Sequence, residues 1–335
     1  MIFRRKYVII KQNYTYPFME DITVTERLLN HNPLLAPACV SCLFGKAIDR
    51  YPEHATREEI LTYQRRLGEL LANLPDRTCG PEMLERITEI HIEVFGDHSA
   101  EETARYADIK RHFNALMADF AAAEELPARI RAAADPLREA LGYAMTGNYI
   151  DFGALGSVDE KKLRALLADA SDRVPADSAA YADLVNRLSA ARRLVFLTDN
   201  CGEVVMDMLL VGYLREAYPE LDITVILRGA PVLNDATMED AAQIGLDRME
   251  GIRVMGNGDG LAGTALGRIS PEAREAITAA DVILAKGQGN YETLNGCGLP
   301  ICYAFLCKCS VFADRFGVSR YTGMLTWEEK DAKNN

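Results

Sequence analysis

The sequence predicts an α/β fold, a doubly wound and mostly parallel sheet of the Rossmann-like, three-layer kind, preceded by an all-helical subdomain. Three observations carry this. Up to about Arg193 the apolar residues recur at helical spacing. From Leu194 onward short, near-continuous apolar runs alternate with helical segments, as parallel strands covered on both faces require. A chain of 335 residues, 49% hydrophobic and 26% charged, is long enough for a core of this size.

The elements follow in order. Residues 1–18 read as an N-terminal extension, 19–190 as the helical subdomain and 191–335 as an α/β domain. In the helical half, "TREEILTYQRRLGELLANL" places Ile60, Leu67, Leu70, Leu71 and Leu74 on one stripe, with Thr56 as N-cap and Glu59 three residues on. "PEMLERITEIHIEVFG" repeats the stripe with Leu84, Ile87, Ile90, Val94 and Phe95, opening at Pro81 and stopping at Gly96. "EETARYADIKRHFNALMADFAAAEEL", "DPLREALGYAMTGNYIDFGAL" and "DSAAYADLVNRLSAARR" are further helices. In the second half strands are expected at Leu194–Thr198, Ile223–Arg228, Ile252–Met255, Val282–Lys286 and Ile301–Cys307, with helices at about 203–218, 238–245 and 271–280.

Composition removes several function classes. A net charge of −12 argues against a broad nucleic-acid face or an anionic membrane surface. No apolar run approaches the roughly 20 residues of a membrane span. The start, "MIFRRKYVII", holds only a very short apolar run, and no secretory signal is expected. The eight cysteines therefore read as reduced thiols of a cytoplasmic protein. Nothing in the pattern assigns an oligomeric state.

Ligands of doubly wound sheets gather at the carboxyl ends of the strands. Those ends read Asp199-Asn200, Arg228-Gly229, Gly256-Asn257-Gly258-Asp259 and Lys286-Gly287-Gln288-Gly289-Asn290. Adjacent side chains of a strand point to opposite faces, so Asp199 and Asn200 can serve one ion only where the backbone turns, as it can before Gly202. Their hard oxygens suit Mg²⁺ or Mn²⁺. "GAPVLNDAT", after the second strand, supplies Asp235 as a third ligand and Asn234 to orient it or touch substrate. The bland reading is that Asp199 and Asn200 cap the following helix. Lys286 with Gly287, Gly289 and Asn290 reads as an anion cradle, and Arg228 as a second cation. Glu203 and Asp207, four residues apart on one helix face, are placed to orient or deprotonate a metal-bound water.

Other signals weigh less. "GDGLAG" has dinucleotide-loop spacing, but no helix opens directly on it. Cys39 and Cys42 form a CxxC. They read as thiols on a helix facing the core, with a redox pair or half of a second metal site as the alternative.

"DNCGEVVMD", "GAPVLNDAT" and "KGQGNYETL", in this order and spacing, resemble the damage-control phosphatase family, also catalogued as domain of unknown function 89. The resemblance runs from about Asp21 to Val318, and the CxxC is similar to the stand-alone prokaryotic branch. It implies metal-dependent hydrolysis of phosphate monoesters by an activated water, with Mn²⁺, Mg²⁺, Co²⁺ or Ni²⁺. The substrates implied are sugar phosphates or damaged phosphometabolites. The family's metal ligands fall on Asp199, Asn200 and Asp235 and its phosphate-binding lysine on Lys286. The chain departs from the pattern at Cys201, where a small residue is common, at Ala230, where a second glycine is common, and at Arg228, where lysine is frequent. The rival readings are an S-adenosylmethionine-dependent carboxyl methyltransferase, an activity suggested for a human relative, and a metal- or metabolite-binding protein without turnover.

Overall fold

The computed structural model describes residues 35–75, 77–151, 158–175 and 178–328. The predicted extension, residues 1–18, lies outside them.

The helical half runs through α1 (Pro37–Ala47), α2 (Arg57–Ala72), α3 (Gly80–Phe95), α4 (Ser99–Ala123), α5 (Leu126–Ala132), α6 (Pro136–Gly147), α7 (Glu160–Ala168) and α8 (Ala179–Ala190). The α2 start is the expected capping box. The Thr56 hydroxyl accepts from the Glu59 amide, and the Glu59 carboxylate accepts from the Thr56 amide at 2.7 Å. The sixth helix ends at Gly147, earlier than its sequence pattern suggested, and α7 was not among the expected helices.

The α/β half comprises β1 (Arg193–Leu197), α9 (Glu203–Ala217), β2 (Asp222–Leu227), α10 (Met238–Ile244), β3 (Ile252–Gly256), α11 (Pro271–Thr278), β4 (Val282–Lys286), α12 (Gly287–Leu294), β5 (Ile301–Leu306), α13 (Ser310–Phe316) and β6 (Gly323–Trp327). The strand order is β3-β2-β1-β4-β5-β6. All pairings are parallel except the last, where β6 runs antiparallel to β5. The fold class is the doubly wound sheet that the apolar runs predicted; β6, a half-buried edge strand, was not foreseen.

Strand alternation divides the core in two. Leu194, Phe196, Val225, Leu284 and Ala304 face one side, together with α9, α10 and the helices from α4 to α8. Val195, Leu197, Ile283, Tyr303 and Phe305 face the other, covered by α11, α12 and α13. The helices from α4 onward thus share a core with the sheet. By contrast α1, α2 and α3 close around their own small cluster of Ala47, Tyr63, Leu67, Met83, Ile87 and Ile90.

The order reverses between β1 and β4, which are direct neighbours. Chains leaving these two strands pass to opposite faces and open a crevice at their carboxyl ends. Two stability measurements test this layering by urea denaturation. Phe196→Ala, in the shared core, is expected to cost about 3–5 kcal/mol. Thr56→Ala, which removes the cap of α2, is expected to cost about 1 kcal/mol.

Candidate active site

The turn after β1 is built around Gly202, whose φ of +66° is open to glycine. A Cβ there would lie 2.7 Å from Ile150 Cδ1, so the helical half presses directly on this turn. The Gly202 amide donates to Asn114 Oδ1 at 2.6 Å, and no side chain caps α9. Asp199 and Asn200 are therefore not its caps.

Instead they are joined to the second predicted ligand loop. Asn200 and Asp235 form an antiparallel bridge. The Ala236 amide donates to the Asp199 carbonyl at 2.7 Å and the Cys201 amide to the Asn234 carbonyl at 2.8 Å. Leu233, next in line, holds a left-handed φ of +46°, a strained conformation for a branched residue. Asp199, Asn200 and Asp235 come to lie together on the floor of one cavity of about 280 Å³.

Their surroundings are dense in charge. Arg228 is buried between the two carboxylates, its Nε 2.7 Å from Asp235 Oδ2 and its Nη2 3.3 Å from Asp199 Oδ1. Asn148 donates to Asp199 Oδ2 at 3.0 Å and to Glu203 Oε2 at 2.8 Å. Asn200 Nδ2 donates to the same two oxygens at 2.7 and 3.0 Å, while its Oδ1 accepts from Asn234 at 3.0 Å. Glu203 is fully buried and orients Asn200 from behind the cavity.

Lys286 also stands behind the floor. Its ammonium donates to Glu203 Oε1 at 2.5 Å, Asp207 Oδ1 at 2.9 Å and the Ala144 carbonyl at 2.8 Å, which occupies all three of its hydrogens. The residues expected to form a cradle around it make up the amino end of α12. Gly289 lines the cavity. Gly287 has φ +78°, and a Cβ on it would lie 1.9 Å from Asp199 Oδ2, so only glycine lets the carboxylate approach this helix end. Asn290 is structural, donating to the Thr198 and Lys286 carbonyls at 3.0 and 2.7 Å and accepting from Arg228 at 3.1 Å. The Gly256–Asp259 loop does not reach the cavity. Asn257 accepts from the Gly229 and Asp259 amides, and Asp259 pairs with Arg268. The stretch resembling a dinucleotide loop opens no helix; α11 begins only at Pro271.

Lys308, Asp151 and Asn148 are site residues that escaped the sequence reading. Lys308 lies just past β5, buried, with its Nζ 2.5 Å from Asp151 Oδ2; Asp151 lines the cavity. The strand-end rule applied to the fifth strand would have found it. Asn148 follows α6 and carries no local signal. Among the described residues no disulfide joins any of the eight cysteines. Cys39 and Cys42 sit on α1 as expected, but they face the cavity and not the core; Cys42 is exposed and Cys39 half-buried. Among the described residues, no helix is long and apolar enough to cross a membrane and no group of three or more His, Cys, Asp or Glu is placed to hold a metal. A second cavity of about 230 Å³, between Arg193 and Arg253, opens at the amino ends of the strands, away from this chemistry.

The cluster fits a cation. Arg228 pairs with Asp199 and Asp235, Lys286 with Glu203 and Asp207, and Lys308 with Asp151, so five carboxylates share these three paired cations. Burial, then the negative charges of Asp235 and Glu203, push the Asp199 carboxyl well above the usual carboxylate range. Burial pushes Asp235 to about 6 against the opposing pull of Arg228. The set of two carboxylates and one amide oxygen around a cavity floor is a hard-oxygen donor set with positions left open.

Comparison with known proteins agrees with this architecture. The family model of the damage-control phosphatase ARMT1-like domain matches residues 35–323. A damage-control phosphatase of Archaeoglobus fulgidus is 30% identical over 293 residues, 85% of this chain and 96% of that one. A damage-control phosphatase of Pyrococcus horikoshii is 34% identical over 158 residues, 47% of this chain and 52% of that one. The crystal structure of a DUF89 family protein from Pyrococcus horikoshii superposes with a TM-score of 0.67 at 22% identity, covering 88% of this chain and 99% of that one. The chain belongs to the damage-control phosphatase ARMT1-like family.

Proposed function

We propose that this chain is a divalent-metal-dependent phosphomonoester hydrolase of the cytoplasm that acts on small phosphorylated metabolites. The observation that carries the reading is the surplus of buried carboxylates, Asp199 and Asp235 on a cavity floor and Glu203 and Asp207 behind it, beside the amino end of α12. Asp199, Asn200 and Asp235 would hold the ion, Mn²⁺ or Mg²⁺ by the hardness of the donors, with Co²⁺ or Ni²⁺ as substitutes. Bound there, it supplies Lewis acidity and a water nucleophilic at neutral pH.

The remaining work falls to the chain. Asn148 and Asn200 fix Asp199 through Oδ2, and Arg228 holds Asp199 and Asp235 at a common spacing. Glu203 and Asp207, tied to Lys286, keep Asn200 and the β4 end in register. The first-turn amides of α12 would meet an entering phosphoryl group with positive charge, and the buried Lys308 ammonium, paired to Asp151, would add to it from behind the cavity wall. Lys308 takes the role that the sequence assigned to Lys286, because the Lys286 ammonium is saturated.

The test is hydrolysis of p-nitrophenyl phosphate across Mn²⁺, Mg²⁺, Co²⁺ and Ni²⁺. Chelation with EDTA should abolish turnover, and one of these ions should restore it. Asp199→Ala and Asp235→Ala should each lower kcat/KM by at least about 100-fold, the scale of losing several kcal/mol of transition-state stabilisation. Turnover that survives both substitutions would remove the ligand assignment. Lys308→Ala should raise KM for phosphate esters about 10-fold or more, whereas a larger loss from Lys286→Ala accompanied by a lower melting temperature would mark Lys286 as structural support.

A further inference from the structure

The cavity extends well beyond its metal-binding floor. One wall is apolar, formed by Leu43, Ala47, Pro81, Leu84 and Ile87 from α1 and α3. Across from it α12 presents Gln288, Gly289 and Glu292 to the same space. Glu292 stands one helical turn past Gln288, so its carboxyl is about 5 Å further along the cavity than the cradle.

Among the described residues, no hydrogen bond or ion pair engages the Glu292 carboxylate. It rests against the amino end of α3, where a Cβ on Gly80 would approach Glu292 Oε2 to 2.5 Å. That helix end offers a favourable field, while Glu82 takes the Cys79 amide at 3.1 Å, so Glu292 is positioned by packing with its oxygens left for a ligand. Burial and the charge of Asp151 push its carboxyl up to about 7. A half-buried carboxylate with no partner among the described residues is placed to accept from a donor that enters with the substrate.

Resting on the phosphatase reading, we propose that Glu292 is a specificity-determining residue that accepts hydrogen bonds from hydroxyl groups on the non-phosphate end of the substrate. It touches neither the metal-binding floor nor the reacting phosphoryl group. The substrates favoured are hydroxylated phosphate esters whose first free hydroxyls lie a few bonds from the phosphate. A planar aryl ester would fill the apolar wall and leave Glu292 unsatisfied.

The experiment compares KM and kcat for p-nitrophenyl phosphate with those for glucose 6-phosphate, glycerol 3-phosphate and ribose 5-phosphate. The proteins are the unaltered chain, Glu292→Gln, Glu292→Ala and Gly80→Ala, the last displacing the carboxylate without removing it. For at least one hydroxylated ester, Glu292→Ala should raise KM about 10-fold more than it does for the aryl ester. Glu292→Gln, which keeps an acceptor oxygen, should lie between, and Gly80→Ala should shift preference in the same direction. Equal changes for all esters, or none, overturn the proposal. Calorimetric titration of the same variants with the three hydroxylated esters and with inorganic phosphate separates the two readings. If the unaltered chain hydrolyses nothing, the phosphatase reading fails, yet a selective loss of ester over phosphate binding in Glu292→Ala still supports the role of Glu292. If no hydroxylated ester binds more tightly than inorganic phosphate, Glu292 does not read the substrate.

Discussion

The constraint on which this molecule turns is the burial of more negative than positive charge at one end of a parallel sheet. Removing a carboxylate from water costs several kcal/mol unless it is paired and hydrogen-bonded. Asp199, Glu203, Asp207 and Asp235 are all buried. Arg228 and Lys286 offset part of that cost, each bridging two acids. Among the described residues no hydrogen-bond donor reaches Asp207 Oδ2. A chain assembled for stability alone would not keep this arrangement. The core supports it from both faces of the sheet, and the ion proposed above would supply the missing charge.

Topology explains how few residues are needed. The strand order reverses between β1 and β4, which sets Asp199 against Gly287. The short ladder between Asn200 and Asp235 then brings in the β2 loop. Two glycines, Gly202 and Gly287, make the close approaches possible. The helical half completes the site through Asn114, Asn148 and Ile150, which touch the β1 turn directly or through hydrogen bonds. It is a structural partner of the sheet from α4 onward and not an appendage.

Much of this was legible in the residues themselves. Near-continuous strands such as Val282–Lys286 are buried on both faces, so their composition declares them. Asp199, Asn200 and Asp235 stand at strand ends, where topology delivers ligands whatever the details. The misses have physical causes. The edge strand Gly323–Trp327 is only half-buried and lacks a clear apolar run. Asn148 acts from a helix end across the core, a relation that no local spacing encodes. Lys286 was located, but a long flexible side chain can turn to either side of its strand end, and here the buried acids Glu203 and Asp207 decided which way. The CxxC reads as core-facing because a free cysteine behaves as a small buried hydrophobe, whereas the surface that α1 faces is partly an open cavity.

The separate packing of α1, α2 and α3 has an evolutionary consequence. These helices supply most of the wall that a substrate's organic portion would meet, yet they contribute nothing to the two clusters that hold the sheet together. Residues such as Leu43, Ala47 or Leu84 can therefore drift without unbalancing the carboxylate floor. One catalytic platform could in this way be refitted to many metabolites by repainting a single wall.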